Sequence, residues 1–167
     1  TLFLFLLFTQ IISSQNYTQY VNPFIGTGLN GHTYPGATVP FGMVHLSPDN
    51  GKSGWEYSSG YHYSDSIIVG FSHTHLSGTG IGDLYDIQFM PSTSLKNISD
   101  DEILKHKFQS KYEHKNESAS PGYYYVLLKD YNIKTELTAS LRSGLQKHTF
   151  TQPGNEYIQL DLGYSKN

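Results

Sequence analysis

The chain has 167 residues, enough for one domain with a sizeable core. Its 11 Lys and Arg residues stand against 14 Asp and Glu residues, a formal net charge of -3, which argues against a nucleic-acid partner because phosphate binding needs clustered basic side chains. The 167 residues include no cysteine, so no disulfide bond can hold this part of the fold.

The chain begins with an apolar run, Leu2–Phe8, followed closely by Ile11 and Ile12. About a dozen apolar residues suit the central region of a signal peptide and are too few for a bilayer span of roughly 20. We therefore expect a partial signal peptide over residues 1–15, no membrane span, and export to the periplasm or the exterior. A buried amino-terminal strand is the alternative. Without a cysteine near the cleavage region, a lipoprotein anchor is excluded.

Residues 16–167 are predicted to form one domain that is truncated at its carboxy end, because the chain starts without methionine and stops just after a strand-like segment. Three Asn-x-Ser/Thr sequons, at Asn16, Asn97 and Asn116, would accept glycans in a eukaryotic secretory pathway. In a bacterium they carry no such meaning.

Two glycine-rich loops come next. Residues 24–36 hold four glycines, among them Gly28, with His32 in the middle. Four glycines exceed what a connection requires, which favours function, although a tight crossover between sheets is the alternative. Residues 51–60 hold Trp55, the single tryptophan, and Glu56. An indole ring in such a loop can stack on a pyranose, or it can be an anchor packed under the loop.

The stretch Phe71–Pro91 is the most polar and informative segment, with glycines at every second residue from 78 to 82 and with Asp83 and Asp86 directly after them. If the preceding strand, residues 66–71, continues, His73 and His75 share one face. Such a pair binds zinc when a third ligand joins it. The candidates for that ligand are His32, His62, Asp83 and Asp86. Hydrogen bonds that hold the glycine loop, or a contact with substrate or another domain, are the other interpretations.

The remaining pattern predicts an all-β fold. Strands are expected at residues 39–47, 87–90, 122–128 (buried on both faces), 133–139 (alternating), 145–151 and 157–162. A capping box from Ser99 to Glu102 predicts a short helix at 99–104, and residues 105–117 read as a solvated strand leading into a loop. Turn signals at this spacing are typical of an antiparallel β-sandwich.

Five segments together carry a family resemblance: Val21–Gly36, Ala37–Pro48, Gly60–Asp65, Phe71–Pro91 and Ser120–Tyr123. In order and spacing they resemble family 92 of the glycoside hydrolases, the calcium-dependent exo-acting α-mannosidases, over roughly residues 20–165. The resemblance implies the amino-terminal β-sandwich of a two-domain enzyme, with the all-helical catalytic domain missing from this fragment.

It also implies that the catalytic carboxylates and most calcium ligands lie outside this chain. Asp83 and Asp86 are then expected to bind loop amides, sugar hydroxyls or the catalytic domain. Mannose-containing glycans, such as N-glycans or mannan, and that domain are the implied partners. The predicted substrate-binding or domain-docking residues are Gly28, His32, Trp55, Glu56, His73, His75, Asp83 and Asp86, with no metal ligand among them.

Trp55 is expected to hold the sugar beyond the cleaved bond, and residues 24–36 to line the mouth of the sugar site. Two other hypotheses stay open. The chain could be a stand-alone carbohydrate-binding sandwich, or a small metal enzyme that uses His73 and His75.

Overall fold

A computed structural model describes residues 15–93 and 108–165. In these two ranges every strand pair is antiparallel and no α-helix occurs. The strands are β1 Ala37–Thr38, β2 His45–Asp49, β3 Ile67–Ile68, β4 Gly70–Ser72, β5 Gln88–Ser92, β6 Ser110–Lys111, β7 Glu117–Ser120, β8 Tyr123–Leu128, β9 Ile133–Ala139, β10 Gly144–Phe150 and β11 Tyr157–Asp161. Short 3₁₀-helices span Tyr17–Tyr20, Trp55–Tyr57 and His114–Asn116. The predicted all-β class is confirmed.

Two sheets form the body of the domain. One has the strand order β1-β2-β4-β5-β11 and the other β10-β9-β8-β7, while β3 and β6 pair separately. The core draws buried side chains from both sheets, including Leu46, Phe71 and Met90 from the first and Tyr124 and Leu137 from the second. Two antiparallel sheets that share one apolar core make a sandwich.

Strand β9 follows its predicted alternation. Ile133, Thr135 and Leu137 are buried, whereas Lys134 and Thr138 are exposed. One face of the sheet packs on the core and the other meets solvent, as the period of two requires.

Strand β8 differs from its prediction. The apolar run suggested burial on both faces, but burial alternates along Tyr123–Leu128, with Tyr124 fully buried and Tyr125 half-buried. The prediction failed because a tyrosine can face solvent through its hydroxyl group. Tyr123 lies on the outward face of the sheet, where its hydroxyl donates to the Glu136 carboxylate across the strand pair at 2.8 Å. A run of tyrosines therefore does not require burial on both faces.

Three other strand predictions were wrong in their bounds. The segment 39–47 is broken by a turn at Pro40-Phe41, so β2 begins only at His45. The segment 66–71 breaks at Val69, and β3 and β4 join different sheets. Where residues 105–117 are described, the extended part is only β6, and a 3₁₀-helix follows it.

The predicted turns are confirmed where the structure describes them. Asn132 has a φ of 53° between β8 and β9, and Pro153-Gly154-Asn155 lies in the connection between β10 and β11. The proposed signal peptide (except Gln15), the helix at 99–104 and the sequon at Asn97 lie outside the described residues. Among the described residues, no helix has the length and apolarity needed to cross a membrane.

Candidate functional site

Three polar loops meet on one side of the sandwich: residues 24–36, 50–62 and 73–87. We call this surface the loop face. The Gly78 amide donates to the His32 carbonyl at 2.6 Å, and the Ser58 hydroxyl donates to the Thr79 carbonyl at 2.8 Å. Backbone groups of each loop are thus satisfied by another loop, which fixes irregular segments that have no sheet partners of their own.

Trp55 lies on the loop face with 59% of its surface exposed. Its indole Nε1 donates to Asn30 Oδ1 at 2.9 Å. The six-membered ring packs against Gly80, where an added Cβ would stand 2.0 Å from Trp55 Cζ3. Glycine at position 80 therefore makes room for the ring, which is held at its edge and remains open to solvent. This exposure does not fit the alternative prediction, in which Trp55 is an anchor packed under the loop.

His32 lies beneath Trp55 rather than at an open mouth. The side chain is buried, and its ring centroid is 4.5 Å from that of Trp55 in an edge-to-face arrangement. The His32 Nδ1 hydrogen-bonds to Ser58 Oγ. Because that hydroxyl already donates to a carbonyl, it must accept here, which places the His32 proton on Nδ1. The buried Nε2 has no hydrogen-bond partner among the described residues.

A buried ion pair supports the loop face from below. His75 Nε2 lies 2.8 Å from Asp49 Oδ1, and both side chains are fully buried. The His75 Nδ1 lies 2.7 Å from the carbonyl oxygen of His45. Each ring nitrogen therefore faces an oxygen of the protein. Asp49 was not predicted from the sequence; its carboxylate also accepts from the Ser72 amide and the Gln88 side chain.

Gly60 brings the tryptophan loop directly onto this pair. An added Cβ at Gly60 would lie 2.7 Å from Asp49 Oδ1 and 2.9 Å from the His75 ring, and the residue has a φ of 82°. Glycine is the residue that meets both conditions, since a side chain would clash and left-handed backbone disfavours other residues. The loop that carries Trp55 is therefore positioned by the ion pair.

His45 and Tyr34 complete the support and were also missed. His45 Nδ1 lies 2.7 Å from the His75 carbonyl oxygen, and its Nε2 lies 3.0 Å from the Gly42 carbonyl oxygen. The Tyr34 ring lies 5.8 Å from the His45 ring and 5.2 Å from the His75 ring, so the three rings pack together. Burial raises the pKa of the Tyr34 hydroxyl above its ordinary value.

His73 and His75 do not form a pair, because strand β4 ends at Ser72. His73 Nδ1 donates to the Ile87 carbonyl at 3.0 Å, and its ring lines a cleft of about 230 Å³ with Phe89 and His148. His75 has both nitrogens engaged by protein oxygens and keeps no lone pair for a metal. In residues 15–93 and 108–165, no three or more His, Cys, Asp or Glu side chains gather to hold a metal ion. The geometry of the described residues therefore does not favour a zinc site on His73 and His75.

The two aspartates of the central stretch bind the loop itself. Asp86 Oδ2 accepts from the Thr74 hydroxyl at 3.0 Å, and its amide donates to Thr74 Oγ1 at 2.8 Å. Asp83 Oδ1 accepts from the Leu84 amide at 2.8 Å. Asp83 and Asp86 were expected to bind loop amides, sugar hydroxyls or the catalytic domain. In the structure both carboxylates accept hydrogen bonds from groups of their own loop.

Three residues of the loop 73–87 have strained backbone conformations. Leu84, Tyr85 and Ile87 have φ values of 71°, 63° and 57°, a region that residues with a Cβ rarely adopt. Tyr85 is buried, and its hydroxyl donates to the Ser58 carbonyl at 2.6 Å. Such conformations persist only where the surroundings hold them, and they concentrate at functional sites.

Gly28 and Glu56, the last two predicted site residues, lie on the loop face. Gly28 accepts a turn hydrogen bond from the Gly31 amide at 3.2 Å. Glu56 is exposed in the 3₁₀-helix beside Trp55. Asn30 and Ser58, which orient Trp55 and His32, were missed because polar loop residues carry no periodic signal.

Comparison with known proteins identifies the family to which the chain belongs. The model of the glycosyl hydrolase family 92 N-terminal domain matches residues 20–167, and the chain belongs to this family. The fold superposes with a TM-score of 0.80 and 43% identity on a family GH92 α-mannosidase from Bacteroides thetaiotaomicron solved with mannoimidazole, covering 89% of this chain and 20% of the other. The predicted family and sandwich are thereby confirmed.

Two further relatives are more distant. A family GH92 inverting mannosidase from Bacteroides thetaiotaomicron VPI-5482 gives a TM-score of 0.72 at 30% identity, over 89% of this chain and 20% of that one. An uncharacterized secreted glycosidase from Arthroderma benhamiae is 32% identical over 138 residues, 79% of this chain and 17% of the relative. The chain thus spans about a fifth of the length of these relatives.

Proposed function

We propose that the chain is the amino-terminal domain of a larger exo-acting α-mannosidase that trims α-linked mannose from glycans such as N-glycans or mannan. The observation that carries this proposal is the 43% identity to a solved family GH92 α-mannosidase across 89% of the chain. The likeness to an inverting mannosidase supports inversion at the anomeric carbon. Export of the protein, suggested by the apolar run at residues 2–8, agrees with the relative described as a secreted glycosidase.

The catalytic acid and base lie, on this proposal, in the rest of the polypeptide. Glycoside hydrolysis needs two carboxyl groups on opposite sides of the scissile bond. Asp49 is buried in an ion pair, and Asp86 is committed to Thr74, so neither is placed to exchange protons with a sugar. The chain instead supplies the loop face, with the Trp55 ring as a platform for a sugar.

Calcium is proposed as the cofactor of the whole enzyme. Calcium needs six to eight oxygen ligands, and the described residues do not gather even three acidic or imidazole side chains. Most of its ligands would therefore lie outside the described residues. No step assigned to this chain depends on it.

Assay of the full-length polypeptide on an aryl α-mannoside and on mannobioses tests the activity. We expect release of mannose from both, loss of turnover with a calcium chelator and recovery when calcium is restored. A pure full-length protein with no turnover on any α-mannoside would contradict the proposal, and turnover that survives chelation would contradict the calcium part alone.

Trp55→Ala in that protein tests the role of the loop face. If Trp55 holds the leaving-group sugar, hydrolysis of the aryl mannoside should barely change, while kcat/KM on mannobiose should fall by roughly 2–3 kcal/mol, a factor of about 30–150. Gly80→Ala should give the same selective loss, because its Cβ would displace the Trp55 ring. Gly154→Ala is the control, since its Cβ would meet nothing within 4 Å and its backbone is not left-handed. Equal losses on both substrates would mean that Trp55 packs the fold.

A further inference from the structure

The turn between β1 and β2 carries a phenylalanine in an unusual setting. The Gly42 amide donates to the Val39 carbonyl at 2.9 Å, which closes a four-residue turn with Pro40 and Phe41 at its centre. Phe41 has a φ of 59° and is fully exposed. With Pro at its second position and a positive φ at its third, this is a type II turn, whose third position favours glycine.

Phe41 is thus unfavourable in two independent respects. A bulky residue in left-handed backbone is strained, and an aromatic side chain of roughly 150–250 Å² gains nothing from facing water. Glycine stands one position later, at Gly42, rather than where the turn would use it. Strain of this kind is retained where it serves a contact, and the side chain makes none within the described residues that would explain it.

A second turn extends the apolar surface around Phe41. The Met43 amide donates to the Leu141 carbonyl at 2.8 Å, so the β1–β2 turn lies against the turn between β9 and β10. Met43 is 72% exposed and Leu141 58% exposed. We call Phe41, Met43 and Leu141 the turn patch. Three large apolar side chains on two adjoining turns are more than the isolated exposed residues found on any protein surface.

The turn patch adjoins one of the three loops of the loop face, residues 73–87. The His45 amide donates to the His73 carbonyl at 2.9 Å, which joins the start of β2 to the start of the central loop. Gly42 belongs to the turn and accepts from the His45 ring. The turn patch therefore adjoins the first residues of the central loop.

We propose that the turn patch is buried against the remainder of the full-length polypeptide, with Phe41 inserted into an apolar pocket of that remainder. The choice of occupant is based on the length of the relatives, since the chain accounts for only 20% of the solved mannosidase chain that it matches. A protein as long as that relative would carry about four-fifths of its residues outside this chain. Because those residues are covalently attached, they would be available to cover the turn patch in every molecule. The inference rests on the proposed function only in that both require the larger polypeptide.

Methionine oxidation in the native full-length protein tests the proposal, because the chain contains two methionines of opposite exposure. Met43 belongs to the turn patch, whereas Met90 is buried in the sandwich core. With dilute peroxide and peptide mass spectrometry, we expect Met43 to oxidise at least tenfold more slowly than in the same protein unfolded in denaturant. Its protection should approach that of Met90. In Phe41→Ser, Met43 should lose most of its protection while Met90 keeps it.

Oxidation of Met43 in the native protein at the unfolded rate would overturn the proposal. Protection that disappears on dilution would also overturn it, because the cover would then be a second copy. Leu29→Ser is the matched control, since Leu29 is also exposed with a φ of 53° but lies outside the turn patch; it should leave Met43 protected. Protection of Met43 in a protein without mannosidase activity would uphold this inference while the proposed function failed.

Discussion

Removing the buried carboxylate of Asp49 is the sharpest perturbation that the structure offers. In Asp49→Ala the His75 ring, at 0% exposure, loses the carboxylate that lies 2.8 Å from its Nε2. The Ser72 amide and the Gln88 side-chain amide, which donate to Asp49 Oδ2 at 3.1 Å and 3.0 Å, lose their acceptor as well. Breaking a buried pair from one side costs about 3–5 kcal/mol. That is a large share of the 5–15 kcal/mol that stabilises a typical domain.

Thermal unfolding followed by circular dichroism measures the effect. For a domain of this size, about 1 kcal/mol lowers Tm by roughly 2–4 °C, so Asp49→Ala should lower it by roughly 6–20 °C. Glu113→Ala is the control on the surface. That carboxylate pairs with Lys115 and Lys129 in solvent, where ion pairs contribute little to stability, although the two lysines lower the pKa of Glu113 to about 2.

The contribution of charge is separated by a double-mutant cycle. Asp49→Asn keeps the shape and one acceptor oxygen but removes the negative charge, so it should destabilise the domain by less than Asp49→Ala. Combined with His75→Gln, the total loss should be smaller than the sum of the two single losses, since contacting residues couple. A Tm shift for Asp49→Ala no larger than that for Glu113→Ala would refute the buried ion pair, and so would strict additivity of Asp49→Asn and His75→Gln.

Three further outcomes are expected. Burial lowers the pKa of His148 to about 4, so the unfolded chain, with a His pKa near 6.5, takes up a proton that the folded chain does not. Stability should therefore be complete above about pH 6.5 and fall by roughly 3 kcal/mol as the pH drops to about 4, and urea unfolding should show this loss reduced in His148→Leu. Asn132→Ala should cost about 1 kcal/mol in the same assay, because alanine is strained at a φ of 53°, whereas Asn132→Gly should cost less. In the full-length enzyme, the Asp49→Asn/His75→Gln variant should keep the shape of the pH–rate profile and change only its height, and a displaced limb would mean that the pair titrates in catalysis.

Local pattern was enough to predict part of the fold. The alternation of Ile133–Ala139 and the Asn132 turn are decided by neighbours in sequence, and the structure agrees with both. The break at Val69 could not be predicted. Residues on its two sides pair with strands that are distant in sequence, β6 and β2, and neither partner leaves a trace in the local pattern.

The candidate site was predicted in outline, and its supporting contacts were not. Glycine density located the loops, and Trp55 was singled out as the sole tryptophan. However, Asp49 and His75 are 26 positions apart, and Trp55 and Asn30 are 25 apart. Such pairs arise only when the loops converge. The expectation that His73 and His75 share a face failed because it assumed that β4 continues past Ser72.

The placement of charge within the loop face indicates what this part of the molecule can contribute to a reaction. The pair of His75 with Asp49 lies fully buried below the loops, and each partner makes further hydrogen bonds to the protein. A proton transferred to or from either group would break that network, so the pair is suited to holding geometry and poorly suited to acid–base exchange. Above it, the indole ring of Trp55 reaches solvent beside the exposed side chain of Glu56, and the indole can bind a sugar and carries no titratable proton near neutral pH. We therefore infer that the domain contributes to catalysis by fixing the position of its loops, and that the strain at Leu84, Tyr85 and Ile87 is tolerated because the same buried network supports them.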